Sequence, residues 1–247
     1  MISPHDPETV YVGGNVVFKS NNRGKSWEVI SPDLTTNDKS KQRSSGGTIY
    51  QDNTAAEFHC TILYLAESPI QKGVIWAGTD DGNIQVTLDG GKSWKNMGLK
   101  NSEHIGMIEI DPNNSNNIYV AAYGPLWKEG GERGLYFSKN GGKDWELILK
   151  TDEHTGVNEV HLDPRNSSTI YATTHQRRRH VYTYVGGGLG SKIYKSTDSG
   201  KSWKELKSGL PNSIKGRIGM DISPANPDYL YACLLYTSDA ADDMQCV

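Results

Sequence analysis

Cysteine, phenylalanine and methionine are scarce in this chain of 247 residues, at 3, 3 and 5 copies. Three cysteines are too few for a disulfide framework. No apolar run approaches the roughly 20 residues that a membrane-spanning helix needs, and no segment carries the 3.6-residue periodicity of an amphipathic helix. The opening MISPHDPETV lacks the basic start and apolar stretch of a signal peptide. HExxH zinc spacing, a Gly-x-Ser-x-Gly elbow and a Ser-His-Asp arrangement are all missing. The glycine run GGGLG (186–190) has no strand-to-helix context that would make it a phosphate loop. No cofactor and no metal is therefore expected.

The last fifteen residues are set apart. Cys233 to Asp243, CLLYTSDAADD, is what the bases of a transposon-type sequencing adapter encode in one frame, and Met244 to Val247 fit the index and adapter bases that would follow. Residues 233–247 are expected to be a non-native scar. The chain has 26 basic and 29 acidic residues. Without Asp239, Asp242 and Asp243 the two signs balance at 26 each, and Cys60 is the one cysteine left. A balanced charge gives no argument for a nucleic-acid partner, and none is expected.

What the chain does have is glycine, 27 copies, and an internal repeat. An octet occurs as SNNRGKSW (20–27), TLDGGKSW (87–94), SKNGGKDW (138–145) and STDSGKSW (196–203), with tryptophans 67, 51 and 58 residues apart. Upstream of each lies a proline-marked turn running into a short apolar stretch, as in DPNNSNNIYVAA and DPRNSSTIYATT. Before most of these comes an alternating stretch such as GMIEID. One unit reads strand A, a proline turn, strand B, strand C, the octet turn, then strand D. Four antiparallel strands at this period make a β-propeller blade. The fold class expected is all-β: a β-propeller of four-stranded antiparallel blades, incomplete, with about four of them. Blade parts fall at 1–30, 59–98, 103–150, 156–207 and 216–232, so that 1–232 is one partial propeller.

The octet is read as architecture. A short Asx side chain caps a tight turn by accepting backbone N–H bonds. The glycine supplies positive φ, and the tryptophan packs on the adjacent sheet. The copies are Asn22, Gly24 and Trp27; Asp89, Gly91 and Trp94; Asn140, Gly142 and Trp145; Asp198, Gly200 and Trp203. Asn caps such a turn as well as Asp does, but it cannot act as an acid or base. Two Asn copies in four argue against catalysis.

Repeated in register, the octet is identified as the Asp-box, or BNR repeat, Ser-x-Asp-x-Gly-x-x-Trp. Residues 1–232 resemble bacterial Asp-box propellers related to the luminal domain of sortilin. They are also similar to propellers labelled glycosyl hydrolase for their likeness to xyloglucan-cleaving glycosidases, and to photosystem II assembly-factor propellers. HIGMIEIDPNN, GERGLYFSKNGGKDW, QRRRH and GRIGMDISPANPDYLYA carry the likeness best. In long members the segment like 1–95 follows the remainder, which implies a join near residue 95 or tandem propellers. The resemblance implies a secreted or periplasmic protein with a glycan or protein ligand.

In a four-stranded meander the A–B and C–D turns share one face, and the B–C and D–A connections share the other. Octets and proline turns therefore mark one face, and length variation concentrates on the opposite rim. There, B–C grows from TDDGN (79–83) to YGPLWKEGGERG (123–134) and HQRRRHVYTYVGGGLG (175–190), and one D–A loop spans 31–58. Long loops on a rigid scaffold are where binding and catalysis are sought. Candidate ligand contacts are Arg177, Arg178, Arg179 and His180 for an anion or acidic glycan, with Trp127, Tyr182 and Tyr184 for stacking on sugar rings. The plainer readings are a solvated basic loop and loop-anchoring aromatics. His59, His104 and His154 each follow a glutamate at the D–A junction, a spacing that repetition alone explains. Glycoside hydrolysis would need two facing carboxylates; Glu103, Glu129, Asp152 and Glu153 are the candidates, with Asp52, Glu57 and Glu132 on the same rim. Two functions stay open: a non-catalytic propeller binding a protein or glycan, which the sortilin likeness implies, and a glycoside hydrolase acting on a β-glucan, which the xyloglucanase likeness implies.

Overall fold

The computed structural model describes residues 1–42, 59–180 and 182–236, with the backbone of 244–246. Successive antiparallel sheets follow one another along the chain. The first holds β1 (Ile2–Ser3), β2 (Asp6–Gly13), β3 (Val17–Ser20) and β4 (Glu28–Val29). The second holds β5 (Ile62–Glu67), β6 (Ile75–Thr79), β7 (Ile84–Thr87) and β8 (Lys95–Asn96). The third holds β9 (Ile105–Ile110), β10 (Ile118–Ala122), β11 (Gly134–Ser138) and β12 (Glu146–Leu149). In the fourth, β13 (Thr155–Asp163) and β14 (Asn166–Gln176) precede a two-stranded ribbon, β15 (Arg178–His180) with β16 (Thr183–Val185), and the sheet resumes with β17 (Ile193–Ser196) and β18 (Lys204–Leu206). The last sheet holds β19 (Lys215–Ile222), β20 (Leu230–Tyr236) and β21 (Met244–Cys246); β20 runs on through Cys233 to Tyr236. The chain is all-β, an incomplete propeller. Among the described residues helix is limited to one 3-10 turn, Lys39–Lys41, and no helix is long and apolar enough to cross a membrane.

Central strands are buried on both faces, which is why IWAGT (β6) and IYVAA (β10) read as continuous apolar runs. Strand alternation divides β10 between two cores. Ile118 and Val120 pack with Trp76, Ile84 and Val86 of the second sheet, while Tyr119 and Ala121 pack with Val157, Val160 and Ile170 of the fourth. The outer strands β8 and β18 are short and polar, which blunts those sheet edges. Exposed apolar side chains remain on the two end sheets: Ile2 and Val12 on the first, and Tyr231 on the last with Tyr229 just before its strand.

The octets hold this stack together. Oδ1 of Asn22, Asp89, Asn140 and Asp198 accepts the backbone N–H four residues on, at 2.9, 2.9, 3.0 and 2.9 Å. The first hydroxyl of each octet accepts the glycine N–H at 2.8–2.9 Å. Two consecutive residues have positive φ, where one was expected: Arg23, Gly90, Gly141 and Ser199 precede the octet glycines in the left-handed region. Their N–H groups donate to carbonyls of Glu8, Gly73, Asn116 and Ser168. That ties each octet to the A–B side of its own sheet. The tryptophans then reach backwards. Nε1 of Trp94, Trp145 and Trp203 donates to the carbonyls of Ile30, Met97 and Ile148 in the preceding sheet, at 3.2, 2.7 and 2.8 Å. Trp27, in the first sheet, makes no such bond among the described residues and is 44% exposed.

Candidate functional site

On the rim opposite the octets, the two longest described B–C connections meet. Residues 123–133 join β10 to β11 and fold around Arg133, which is buried. Its guanidinium donates to four backbone carbonyls of its own loop: Tyr123 (2.8 Å), Pro125 (2.5 Å), Lys128 (3.1 Å) and Gly130 (2.8 Å). Burial first, then the nearby Arg177 and Arg178, pull its pKa down to about 10. The loop it fixes carries Leu126, Trp127 and Lys128.

The basic run 177–179 is not an open loop. β14 continues to Gln176, and Arg178 and Arg179 lie on β15, pairing with Val185 and Tyr184 of β16. Alternation along this ribbon sorts the candidates. Arg177, Arg179 and Tyr184 line a pocket of about 670 Å³. Arg178 and His180 fall on the other face, and Tyr182 is 85% exposed with its ring stacked on His180, 5.5 Å between centroids. The Arg179 N–H donates to the Leu126 carbonyl at 2.9 Å, which joins the ribbon to the third sheet's loop. Across the pocket stand Lys41, His59, Glu103 and His104, supplied by the D–A connections.

The pocket is cationic and partly withdrawn from water. The Arg177 guanidinium lies 3.6 Å over the Tyr123 ring, and its Nη2 reaches the Gly124 carbonyl at 3.4 Å. Its Nε is buried without a hydrogen-bond partner. Tyr123 is fixed from below: its hydroxyl bonds His175 Nδ1, whose Nε2 lies 2.9 Å from the Gly186 carbonyl. A carbonyl only accepts, so Nε2 carries the proton and Nδ1 accepts from Tyr123. Burial raises the Tyr123 hydroxyl to about 12 and lowers His175 to about 4. Glu103 and His104 are consecutive left-handed residues, φ 39° and 41°, a conformation that costs non-glycine residues free energy and concentrates at functional sites. Burial, then Arg177, brings His104 down to about 3, so the ring is neutral, and its Nδ1 is buried without a partner. Glu103 pairs with Lys128 Nζ at 3.1 Å.

The remaining candidate acids lie elsewhere. Asp152 caps its own turn, accepting from the His154 N–H (2.8 Å) and the Thr155 hydroxyl (2.9 Å). Glu129, Glu153 and His154 bring their ligand atoms within 4.8 Å of one another at an exposed position outside the pocket. Asp52 and Glu57 lie outside the described residues. Of the three D–A histidines, His59 and His104 meet in the pocket and His154 does not. Sequence reasoning missed Arg133, and it missed the buried pair Asp80 and Asp81 in the tight TDDGN turn. Asp81 accepts from the Thr36 N–H (2.6 Å) and hydroxyl (2.8 Å), and Asp80 accepts from the Thr61 N–H (2.8 Å). Burial chiefly, with the adjacent Asp81, pushes Asp80 up to about 6, against the pull of Thr61 and His59. Two adjacent acids in a turn were the available signal.

Comparison with known proteins agrees with this architecture. An oligoxyloglucan-reducing end-specific xyloglucanase of Emericella nidulans is 22% identical over 269 residues, covering 93% of this chain and 30% of that enzyme. The chain thus spans about a third of that relative's length. The GH74 xyloglucanase structure from Xanthomonas campestris superposes with a TM-score of 0.67 at 16% identity, over 100% of this chain and 37% of the other. YCF48 bound to D1 peptide superposes with a TM-score of 0.53 at 15% identity, over 97% and 64%. These likenesses show the propeller fold. The model of the Sortilin-Vps10 family, described as sortilin, neurotensin receptor 3, matches residues 15–185, and the chain belongs to that family.

Proposed function

We propose that this chain is part of a non-catalytic propeller that binds a glycan in the rim pocket. The observation that carries the reading is the pocket's composition. Trp127 and Tyr184 offer aromatic faces among four cationic side chains, and the one carboxylate lining it among the described residues, Glu103, is tied to Lys128. Glycoside cleavage takes two carboxylates about 5–10 Å apart across the substrate. Aromatic faces among polar groups suit a ring ligand. The name of the Emericella nidulans relative points to a glycan, and a secreted or periplasmic location goes with such a ligand. Calorimetric titration with an oligosaccharide panel tests the reading: binding is expected, weakened about tenfold or more in Trp127→Ala. Peptide binding with no saccharide binding would overturn it.

Asp80 favours a second reading, a glycoside hydrolase acting on a xyloglucan-type β-glucan. A carboxyl holding its proton to about pH 6 beside a second carboxyl is the pattern of a general acid. Reducing-end release from xyloglucan, abolished in Asp80→Asn, would establish that function. An inactive protein that still binds the oligosaccharide supports the non-catalytic one.

A further inference from the structure

Among the described residues the pocket's charge is unbalanced at Arg177. Lys128 has Glu103, but Arg177 has no carboxylate within ion-pair reach among the described residues. Its guanidinium offers five donors, yet one bond to Gly124 at 3.4 Å is all that the Nη groups make there, and Nε makes none. The Tyr123 face beneath it accommodates the cation without neutralising it. Arg133 nearby is satisfied by carbonyls alone, so it adds a second positive charge beside Arg177 without a carboxylate partner of its own. Withdrawing charge from water is costly unless an opposite charge meets it. His104 adds an independent sign of an unfilled site. The Gly124 backbone bonds one side of its neutral ring, and the other nitrogen, Nδ1, sits in the pocket lining with no partner.

We propose that the pocket selects acidic oligosaccharides: a uronic-acid residue enters with its ring against Trp127 and Tyr184 and its carboxylate on the Arg177 guanidinium. This rests on the glycan reading above and goes further, by naming the charge the glycan carries. Guanidinium and carboxylate match as a two-bond fork. Trp127 and Tyr184 stand 6.0 and 5.6 Å from the Arg179 guanidinium, so ring faces and positive charge occur side by side. An acidic peptide would satisfy the charge but has less use for the two faces, and it becomes an arm of the test.

The test titrates the whole chain calorimetrically with a matched pair: a gluco-oligosaccharide and the same oligosaccharide oxidised to the uronate at its terminal C6. An acidic hexapeptide is the third ligand. The uronate is expected to bind about tenfold tighter at low salt, since a charge-assisted bond replaces a neutral one. That ratio falls toward one in 0.5 M NaCl and in Arg177→Gln. Arg177→Lys, which keeps the charge and loses the fork, recovers part of it. Asp198→Asn on the opposite face leaves both affinities as they were. Equal binding of the two saccharides overturns the acidic specificity and leaves the glycan reading standing. Binding of the peptide alone, or of none of the three, overturns both.

Discussion

The octet's third and seventh positions exchange bonds in a way that a pair of substitutions will expose. Where the third residue is Asp, the seventh is Ser, and the serine hydroxyl donates to the second carboxylate oxygen: Ser93 to Asp89 at 2.6 Å, Ser202 to Asp198 at 2.5 Å. Where the third residue is Asn, the bond reverses. Asn22 Nδ2 donates to the Ser26 hydroxyl, and Asn140 Nδ2 donates to the Asp144 carboxylate, both at 2.8 Å. Serine can take either part, whereas Asp144 can only accept. Asp198→Asn is therefore expected to leave stability unchanged, because Ser202 turns its hydroxyl round. Asn140→Asp is not equivalent, since it sets a second carboxylate against Asp144.

The magnitude follows from that contact. Once the two carboxylates have swung about 4 Å apart, their repulsion at the surface is about 1 kcal/mol, and the lost hydrogen bond adds about 1 kcal/mol. The Oδ1 bonds to the Asp144 N–H and the Ser138 hydroxyl survive. A loss of about 1–2 kcal/mol lowers Tm by about 3–6 °C in a chain of this size. Salt at 0.5 M should reduce the loss, by screening the repulsion between the two carboxylates. The double variant Asn140→Asp with Asp144→Ser recreates the pairing of the second and fourth octets and should recover native stability. Thermal and urea unfolding of the three variants is the assay. The account fails if Asn140→Asp is as stable as the parent protein, or if the added Asp144→Ser recovers nothing.

Three further outcomes are expected. Burial chiefly, with Asp221 and Asp111 and against His161, raises Glu109 from 4.5 to about 7 in the folded chain. Stability tied to its proton is then full below about pH 4.5 and lost as pH rises to about 7, so Glu109→Gln should stabilise by up to about 3 kcal/mol at pH 8 and not at pH 4; equal urea midpoints at pH 8 would refute this. Arg133→Ala leaves four loop carbonyls without their donor and should cost about 2–4 kcal/mol, with faster proteolysis inside 124–132; Arg133→Lys, with one ammonium for a four-way fork, should not restore resistance. Trp145→Phe removes the indole bond to Met97 and should lower Tm by about 2–4 °C, whereas Trp27→Phe, which breaks no such bond, should leave it within error.

What the sequence made legible was the local part. Octet bonds close within four residues, so the turn, its Asx cap and its glycine are written side by side, and four copies in register give the blade and its two faces. The pocket is assembled from side chains more than a hundred residues apart, such as Lys41 and Arg177, and no spacing along the chain announces that meeting. Alternation then decides between neighbours. Arg177, Arg178 and Arg179 look alike as a basic loop, and only as part of a ribbon do the first and third face one way. Arg133 carries no signature at all, because a buried arginine satisfied by carbonyls has no acidic partner to find. Asp80 and Asp81 were overlooked in a minimal turn because their partners, Thr61 and Thr36, come from other connections.

The two faces also divide the energetic work. On the octet face the second, third and fourth sheets are each tied to the one before by an indole bond and by a glycine against which a methyl would collide. A Cβ at Gly91 would lie 2.6 Å from the Ile30 carbonyl oxygen, and one at Gly200 would lie 2.6 Å from Ile148 Cδ1. Those contacts are local, repeated and independent of what the other rim carries. The long-loop rim is then free to hold strained residues at 103 and 104 and an arginine with no carboxylate partner among the described residues, features that would be costly in a scaffold lacking that reserve. Arg133 shows how the charge is kept available. Had Arg133 been met by an aspartate or glutamate, that acid would have stood near Arg177 and offset its charge; met by carbonyls, Arg133 fixes the loop without adding one.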